Sequence, residues 1–288
     1  MNNFETNIIN IYGKRGEAWL ADLPRMIKQA AGKYCLSDLK PVSNWSYNYV
    51  LSGVYEGKKI IVKLGLDIDG LHQEAECLKT FAGCGAVELL TENNGMLLLE
   101  CAIPGHSLKT YFPSNDGDAM QIMYEVMTKL HQAKIYPDAN FPHIRDWLSA
   151  LDQDLPITNQ YLHKARRLRD QLLTTCSEPV LLHGDLHHDN ILQHLDGWVA
   201  IDPKGVIGEP CYEVTAFIRN PMAGLANSPE ITNIINNRIE YFAKIMNIER
   251  QRILDWCFVQ AVLAWAWALE DGADEALFKQ LTQIFYEA

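Results

Sequence analysis

From Leu71 to Ala82 the apolar residues Leu71, Ala75, Leu78 and Ala82 fall on one stripe at helical spacing, whereas Val42 to Leu66 reads as strand. That strand-like stretch carries Tyr47, Tyr49 and Leu51, a turn at Glu56-Gly57, and the β-branched run Ile60-Ile61-Val62 ending at Lys63, which predicts a hairpin. Two further runs, Ala86 to Leu90 and Met96 to Cys101, flank the turn signal Glu92-Asn93-Asn94-Gly95. Ahead of them, Trp19 to Ala30 reads as a helix. Pro104-Gly105 breaks the pattern, and the segments beyond it are mostly helical: Ala119 to His131, Tyr161 to Leu173, Glu230 to Ile245 and Arg250 to Leu269. The chain is therefore expected to be α+β, with a small strand-rich part over 1–103 and a larger helical part over 104–288. No internal repeat or low-complexity tract interrupts this layout.

Composition narrows the partners. The 288 residues are 48% hydrophobic, enough to bury a sizeable core, and the formal net charge of -11 opposes a polyanionic partner such as nucleic acid or an anionic membrane surface. A neutral or cationic small molecule fits this charge better. Seven scattered cysteines without a Cys-x-x-Cys pair argue against a disulfide framework and a structural zinc site. The first twenty residues lack a signal peptide's basic start and apolar core, and the apolar run Trp256 to Leu269 is shorter than the roughly 20 residues of a membrane span. A cytoplasmic protein is expected.

The stretch Leu181 to Gly205, LLHGDLHHDNILQHLDGWVAIDPKG, carries the chemistry. A loop, a short strand, a turn at Asp196-Gly197 and the strand Trp198 to Ile201 would bring Asp185 and Asn190 close to Asp202. Phosphoryl transfer from ATP needs a carboxylate to take the proton of the attacking hydroxyl, and oxygen ligands for the Mg²⁺ that bridges the phosphates. Asp185 suits the first role, and Asn190 with Asp202 the second. A transition-metal cluster of His183, His187, His188 and His194 is disfavoured, because no His-x-x-x-His pair on a helix or other ligand spacing sits in a convincing scaffold. His183 reads instead as a brace for the loop.

The order H-G-D-x-x-x-x-N, then an apolar strand and I-D, resembles the aminoglycoside phosphotransferase branch of the kinase-like superfamily. The text AIDPKGVIGEPCYEV is similar to streptomycin-type aminoglycoside and hydroxyurea antibiotic resistance kinases. The resemblance spans nearly the whole chain and is strongest from Leu181 to Pro221. It implies a bilobal protein-kinase-like fold, a small N-terminal lobe with an antiparallel sheet that binds ATP (1–103), and a mainly helical catalytic and substrate lobe (104–288).

Such a fold needs a strand Lys for the ATP phosphates and a helix acid to hold it. Lys63 closes its strand. Of Glu74 and Glu76, Glu74 lies toward the apolar stripe, where a buried acid demands a partner, so Glu74 is the expected mate. The resemblance places the phosphate-covering loop at Ser43 to Asn48, with Ser46 on phosphate, although the glycine-rich pattern of protein kinases is absent. By location, the main chain of Glu100, Ala102 and Ile103 would read the adenine edge. Lys204 either contacts transferred phosphate or neutralises nearby acids, and Glu213 stands where many phosphotransferases have an Asp that braces the catalytic loop.

For the acceptor, Glu270 and Asp271 offer negative charge to an amine- or guanidine-rich sugar, and Trp267 a stacking face. The bland alternative is a solvated helix end above a core Trp stripe. Three functions are compatible: a streptomycin-type aminoglycoside kinase, a metabolic kinase for an amino sugar, choline-like or homoserine-like acceptor, and a regulatory pseudokinase. The intact phosphotransfer set argues against the last.

Overall fold

The computed structural model describes residues 3–42, 47–136, 139–176 and 178–288. Two helices open the chain, α1 (Asn3–Tyr12) and α2 (Lys14–Tyr34), followed by β1 (Ser37–Pro41), β2 (Tyr49–Tyr55), β3 (Lys58–Leu64), α3 (Ile68–Thr80), β4 (Leu89–Glu92) and β5 (Met96–Glu100). The five strands form one antiparallel sheet in the order β1-β2-β3-β5-β4. The β2–β3 hairpin turns on Glu56 and Gly57, both at positive φ (49° and 77°), the two-residue geometry that matches the strands' right-handed twist. Helix α3 starts where the Asp67 carboxylate accepts the Gly70 N–H at 2.9 Å.

Beyond residue 103 come β6 (Pro104–Ser107), α4 (Asp116–Leu130), α5 (Ile144–Leu148), α6 (Asn159–Thr175), β7 (Val180–Leu182), β8 (Ile191–His194), β9 (Gly197–Ala200) and β10 (Val206–Gly208). Helices α7 (Pro210–Ile218), α8 (Met222–Ala226), α9 (Ile231–Met246), α10 (Arg250–Glu270) and α11 (Ala276–Glu287) complete it. Two small sheets, β6-β8-β9 and β10-β7, carry the segments on either side of Asp185. Both are antiparallel ladders.

The core is divided in the same way. Phe4, Ile8, Trp19, Leu51, Val62, Leu64 and Leu98 fill the space between α1, α2 and the sheet. Leu71, Ala75 and Leu78 of α3 pack with Leu97 and Leu99, and Val199 and Ile201 lie against them, so the first part meets the β9 hairpin through apolar contact. The largest cluster surrounds α10, which packs on α6, α7, α9 and α11. Among the described residues α10 is the one helix long and apolar enough to cross a membrane, but 78% of that window is buried inside the fold.

Several elements depart from the sequence pattern. Helix α7 is buried at Cys211 through Ile218, so it has no polar face and no 3.6-residue period to detect. The run Ala86 to Leu90 joins the sheet only from Leu89. Its first half is diverted to β9, where Val87 N–H donates to Ala200 C=O at 3.0 Å and Ala200 N–H to Gly85 C=O at 2.8 Å. Helices α1 and α11 and strand β1 were not expected either.

Candidate active site

Strand β7 leads into His183, Gly184 and Asp185, and four hydrogen bonds hold them in place. The Glu213 carboxylate of α7 accepts the His183 N–H at 2.6 Å and the Gly184 N–H at 2.9 Å. The additional methylene of Glu relative to Asp is accommodated, and Glu213 grips the loop's main chain. His183 is fully buried, with Nε2 2.8 Å from Ile201 C=O and Nδ1 accepting the Asp185 N–H at 3.2 Å. That pattern requires a neutral ring protonated at Nε2, and burial lowers its pKa. Gly184 has φ +83°, and a methyl group there would lie 2.7 Å from Trp147 Cη2, so both the backbone and the space demand glycine.

Asp185 is half-buried between two cationic or donor side chains. His187 Nε2 lies 3.5 Å from Oδ2, and Arg219 Nη2 3.6 Å from Oδ1. Burial alone would raise its pKa, but His187, Arg219 and Lys204 outweigh burial and hold the carboxyl at about 2. It is ionised throughout the physiological range.

Asn190 is fixed from both sides. Its Nδ2 donates to Asp185 C=O at 2.9 Å, and its own C=O accepts the Ile201 N–H at 3.0 Å, one residue before Asp202. Asp202 has φ 59°, which turns its carboxylate back toward β3, where Oδ1 meets Lys63 Nζ at 3.0 Å. Lys63 is 4% exposed and makes bonds of 2.9 and 2.7 Å to the two oxygens of Glu74. Burial opposes its charge, yet Asp202 and Glu74 together raise its pKa and keep it cationic. The structure thus brings Lys63, Glu74, Asp185, Asn190 and Asp202 into one cluster.

The donor chemistry fits a hard divalent cation. With Nδ2 spent on Asp185, the Asn190 amide presents its oxygen, and Asp202 retains its second oxygen beyond the Lys63 contact. Two oxygen donors and no sulfur or imidazole suit Mg²⁺ better than a transition metal. The histidines of the Leu181–Gly205 stretch do not gather as a ligand set among the described residues. Among the described residues the one group with metal-ligand proximity is His72, Glu76 and Glu92, and Lys79 Nζ sits 2.6 Å from Glu76 and 3.1 Å from Glu92, making it an ion-pair network.

The expected hinge is corrected in part. Ile103 N–H donates to His194 Nδ1 at 3.1 Å and its C=O accepts the Leu195 N–H at 2.7 Å, so the β8–β9 hairpin already engages both groups. Glu100 N–H goes to Glu88 C=O at 2.9 Å, and its carboxylate meets Glu88 N–H at 3.2 Å and His194 Nε2 at 3.2 Å. Among the described residues the Ala102 N–H has no protein partner. Ser46 lies outside the described residues.

On the acceptor side, Trp267 is half-buried and packs edge-on against Trp147 with centroids 5.9 Å apart. Trp147 in turn covers Gly184, which connects α10 to the His183–Asp185 segment through two indoles. Glu270 and Asp271 follow Trp267 by three and four positions, on the same side of the helix end, and both are exposed. Among the described residues no contact places either of them in the Asp185 cluster. Sequence reasoning missed Arg219, His187 in its contact with Asp185, and Trp147. Arg219 ends a helix that has no periodicity, and Trp147 is distant in sequence, so neither carried a signal.

The description "Aminoglycoside/hydroxyurea antibiotic resistance kinase" belongs to the family profile that matches residues 36–272. Streptomycin 3''-kinase of Klebsiella pneumoniae is 30% identical over 196 residues, 66% of this chain and 73% of that protein. Streptomycin 6-kinase of Streptomyces glaucescens is 22% identical over 274 residues, covering 91% of this chain and 88% of its own. The fold is shared with a thermostable mutant of aminoglycoside phosphotransferase APH(4)-Ia crystallised with ADP and hygromycin B, at TM-score 0.69 and 17% identity over 91% of this chain and 98% of that one. The match over most of its length, together with the assembled Lys63–Glu74–Asp202 and Asp185–Asn190 groups, establishes that this chain belongs to the aminoglycoside/hydroxyurea antibiotic resistance kinase family.

Proposed function

We propose that the protein is an ATP- and Mg²⁺-dependent O-phosphotransferase acting in the cytoplasm on a hydroxyl of a cationic aminoglycoside of streptomycin type. The observation that carries this reading is the convergence of Lys63, held between Glu74 and Asp202, with Asp185 and Asn190 across the β8–β9 hairpin. Residues 1–103 form the nucleotide-binding lobe and 104–288 the catalytic and substrate lobe.

Lys63 binds the phosphates of ATP, and Ala102 supplies a free N–H for the adenine edge. Asn190 and Asp202 would hold Mg²⁺, which when bound neutralises charge on the phosphates. Asp185 orients the acceptor hydroxyl and takes its proton as the oxygen bonds to the γ-phosphorus. The bond from that phosphorus to the β–γ bridging oxygen breaks, its electron pair leaves with ADP, and the proton passes to water. Positioning supplies most of the rate, because the base has little covalent work to do.

The acceptor class rests on three supports. Relatives named as streptomycin kinases cover most of this chain, the net charge of -11 favours a cation, and Glu270 and Asp271 place exposed carboxylates one turn beyond Trp267. Replacing Asp185 by Asn should lower kcat by about 10²- to 10⁴-fold while leaving ADP binding nearly intact. Unchanged turnover would remove Asp185 from the reaction.

A further inference from the structure

The dipeptide Lys204-Gly205 joins the two halves of the site through its main chain. Its two N–H groups both donate to His183 C=O, at 2.7 and 3.2 Å. Its two C=O groups both accept from Gln73 Nε2, at 2.6 and 3.0 Å. Gln73 lies on α3 immediately before Glu74, and His183 lies two residues before Asp185. One side-chain amide therefore connects the helix that orients Lys63 to the loop that carries the base.

The same face of α3 meets the segment at two more points. Glu74 reaches Asp202 through Lys63, and the Cys77 side chain lies 3.1 Å from the place a Gly205 Cβ would occupy. Gly205 has φ +66°, so a side chain there would be strained as well as crowded. Positions 73, 74 and 77 span about 100° of the helix, one contiguous face. An amide NH₂ has two donors, and both are spent on the carbonyls of one dipeptide. Neither residue is remote from the chemistry: Lys204 also directs its charge toward Asp185, Glu74 and Asp202.

We infer that Gln73 is a positioning residue that fixes the distance between the Lys63–Glu74 pair and Asp185, coupling nucleotide binding to the alignment of the base. The inference rests on the phosphotransfer reading above. It acts on the geometry between ATP and the acceptor, so its loss should appear in kcat and spare the affinity for nucleotide. It also explains why a half-buried glutamine beside the ion-pair acid contacts a segment 131 residues away in sequence.

The test compares Gln73→Met, which keeps length and loses both donors, with Gln73→Arg, which restores a two-donor fork. Gln73→Met should lower kcat by about tenfold with KM for ATP within about threefold and an unchanged Tm, and Gln73→Arg should recover part of the loss. Wild-type kcat in the Met variant, or no recovery in the Arg variant, overturns the inference. Hydrogen exchange of residues 181–206 reads the coupling without turnover: ADP should protect them in the wild type and protect them less in Gln73→Met. Equal protection in the two proteins also overturns it, whereas a wild type that binds ADP but phosphorylates nothing defeats the functional reading instead.

Discussion

Arg219 Nη2 stands 3.6 Å from Asp185 Oδ1, at the end of the same helix whose Glu213 grips the main chain before Asp185. The Arg219 side chain is 14% exposed, and among the described residues its Nε has no hydrogen-bond partner. Its charge helps to hold Asp185 at about 2, below the ordinary carboxylate value of about 3.9. Because the folded value is depressed, the carboxylate stays ionised as pH falls until that value is reached. In Arg219→Gln the value rises, so the ratio of variant to wild-type kcat/KM should fall as pH drops from 6 to 4, and Arg219→Lys should restore it. Taking the ratio cancels the titration of ATP itself. A ratio independent of pH would remove Arg219 from control of the base.

The Lys63–Glu74 pair is buried at both ends, with side-chain exposures of 5% and 9%. Lys63→Met leaves the buried Glu74 without its cation and should destabilise the fold by about 3–5 kcal/mol, whereas Glu74→Leu leaves Lys63 its 3.0 Å contact with Asp202 and should cost less. The double variant should lie closer to the wild type than Lys63→Met, although it loses ATP binding. Chemical denaturation of the four proteins measures this. Additive losses would show that the two side chains do not depend on one another.

His188 is fully buried against Phe217, with ring centroids 3.9 Å apart; among the described residues neither ring nitrogen makes a hydrogen bond, and Nε2 faces Asp116 Oδ1 at 3.9 Å. Burial depresses its pKa from 6.5 to about 4. A depressed value means stability that is complete above about 6.5 and is lost as pH falls toward 4, because the unfolded ring takes the proton first. The full effect is on the order of 3 kcal/mol. Thermal melts at pH 7 and pH 5 should show a larger drop in Tm for the wild type than for His188→Gln. Equal drops would show that His188 contributes nothing to acid sensitivity.

Much of this was legible in the sequence, for identifiable reasons. The β2–β3 hairpin followed from Glu56-Gly57 and the β-branched run, and Glu74 rather than Glu76 pairs with Lys63, as the helical stripe of α3 required. The convergence of Asp185, Asn190 and Asp202 followed from two short strands about a turn, although the turn is Leu195-Asp196 with Gly197 already paired to His194. Helix α7 was invisible because it is buried on every side, and with it went Arg219. That both main-chain groups of Ile103 are already engaged was not legible, because main-chain partners depend on which hairpin packs alongside, and His194 lies 91 residues further on. Gln73 was hidden for the same reason: its partners are carbonyls, which the sequence does not distinguish.

The central claim is phosphoryl transfer from ATP to an aminoglycoside hydroxyl. The direct measurement incubates purified protein with Mg-ATP and streptomycin and follows both ADP and the mass of the drug. The account predicts ADP release that depends on streptomycin, with a drug product heavier by one phosphoryl group and no such product from Asp185→Asn. ADP binding without any phosphorylated streptomycin would contradict it.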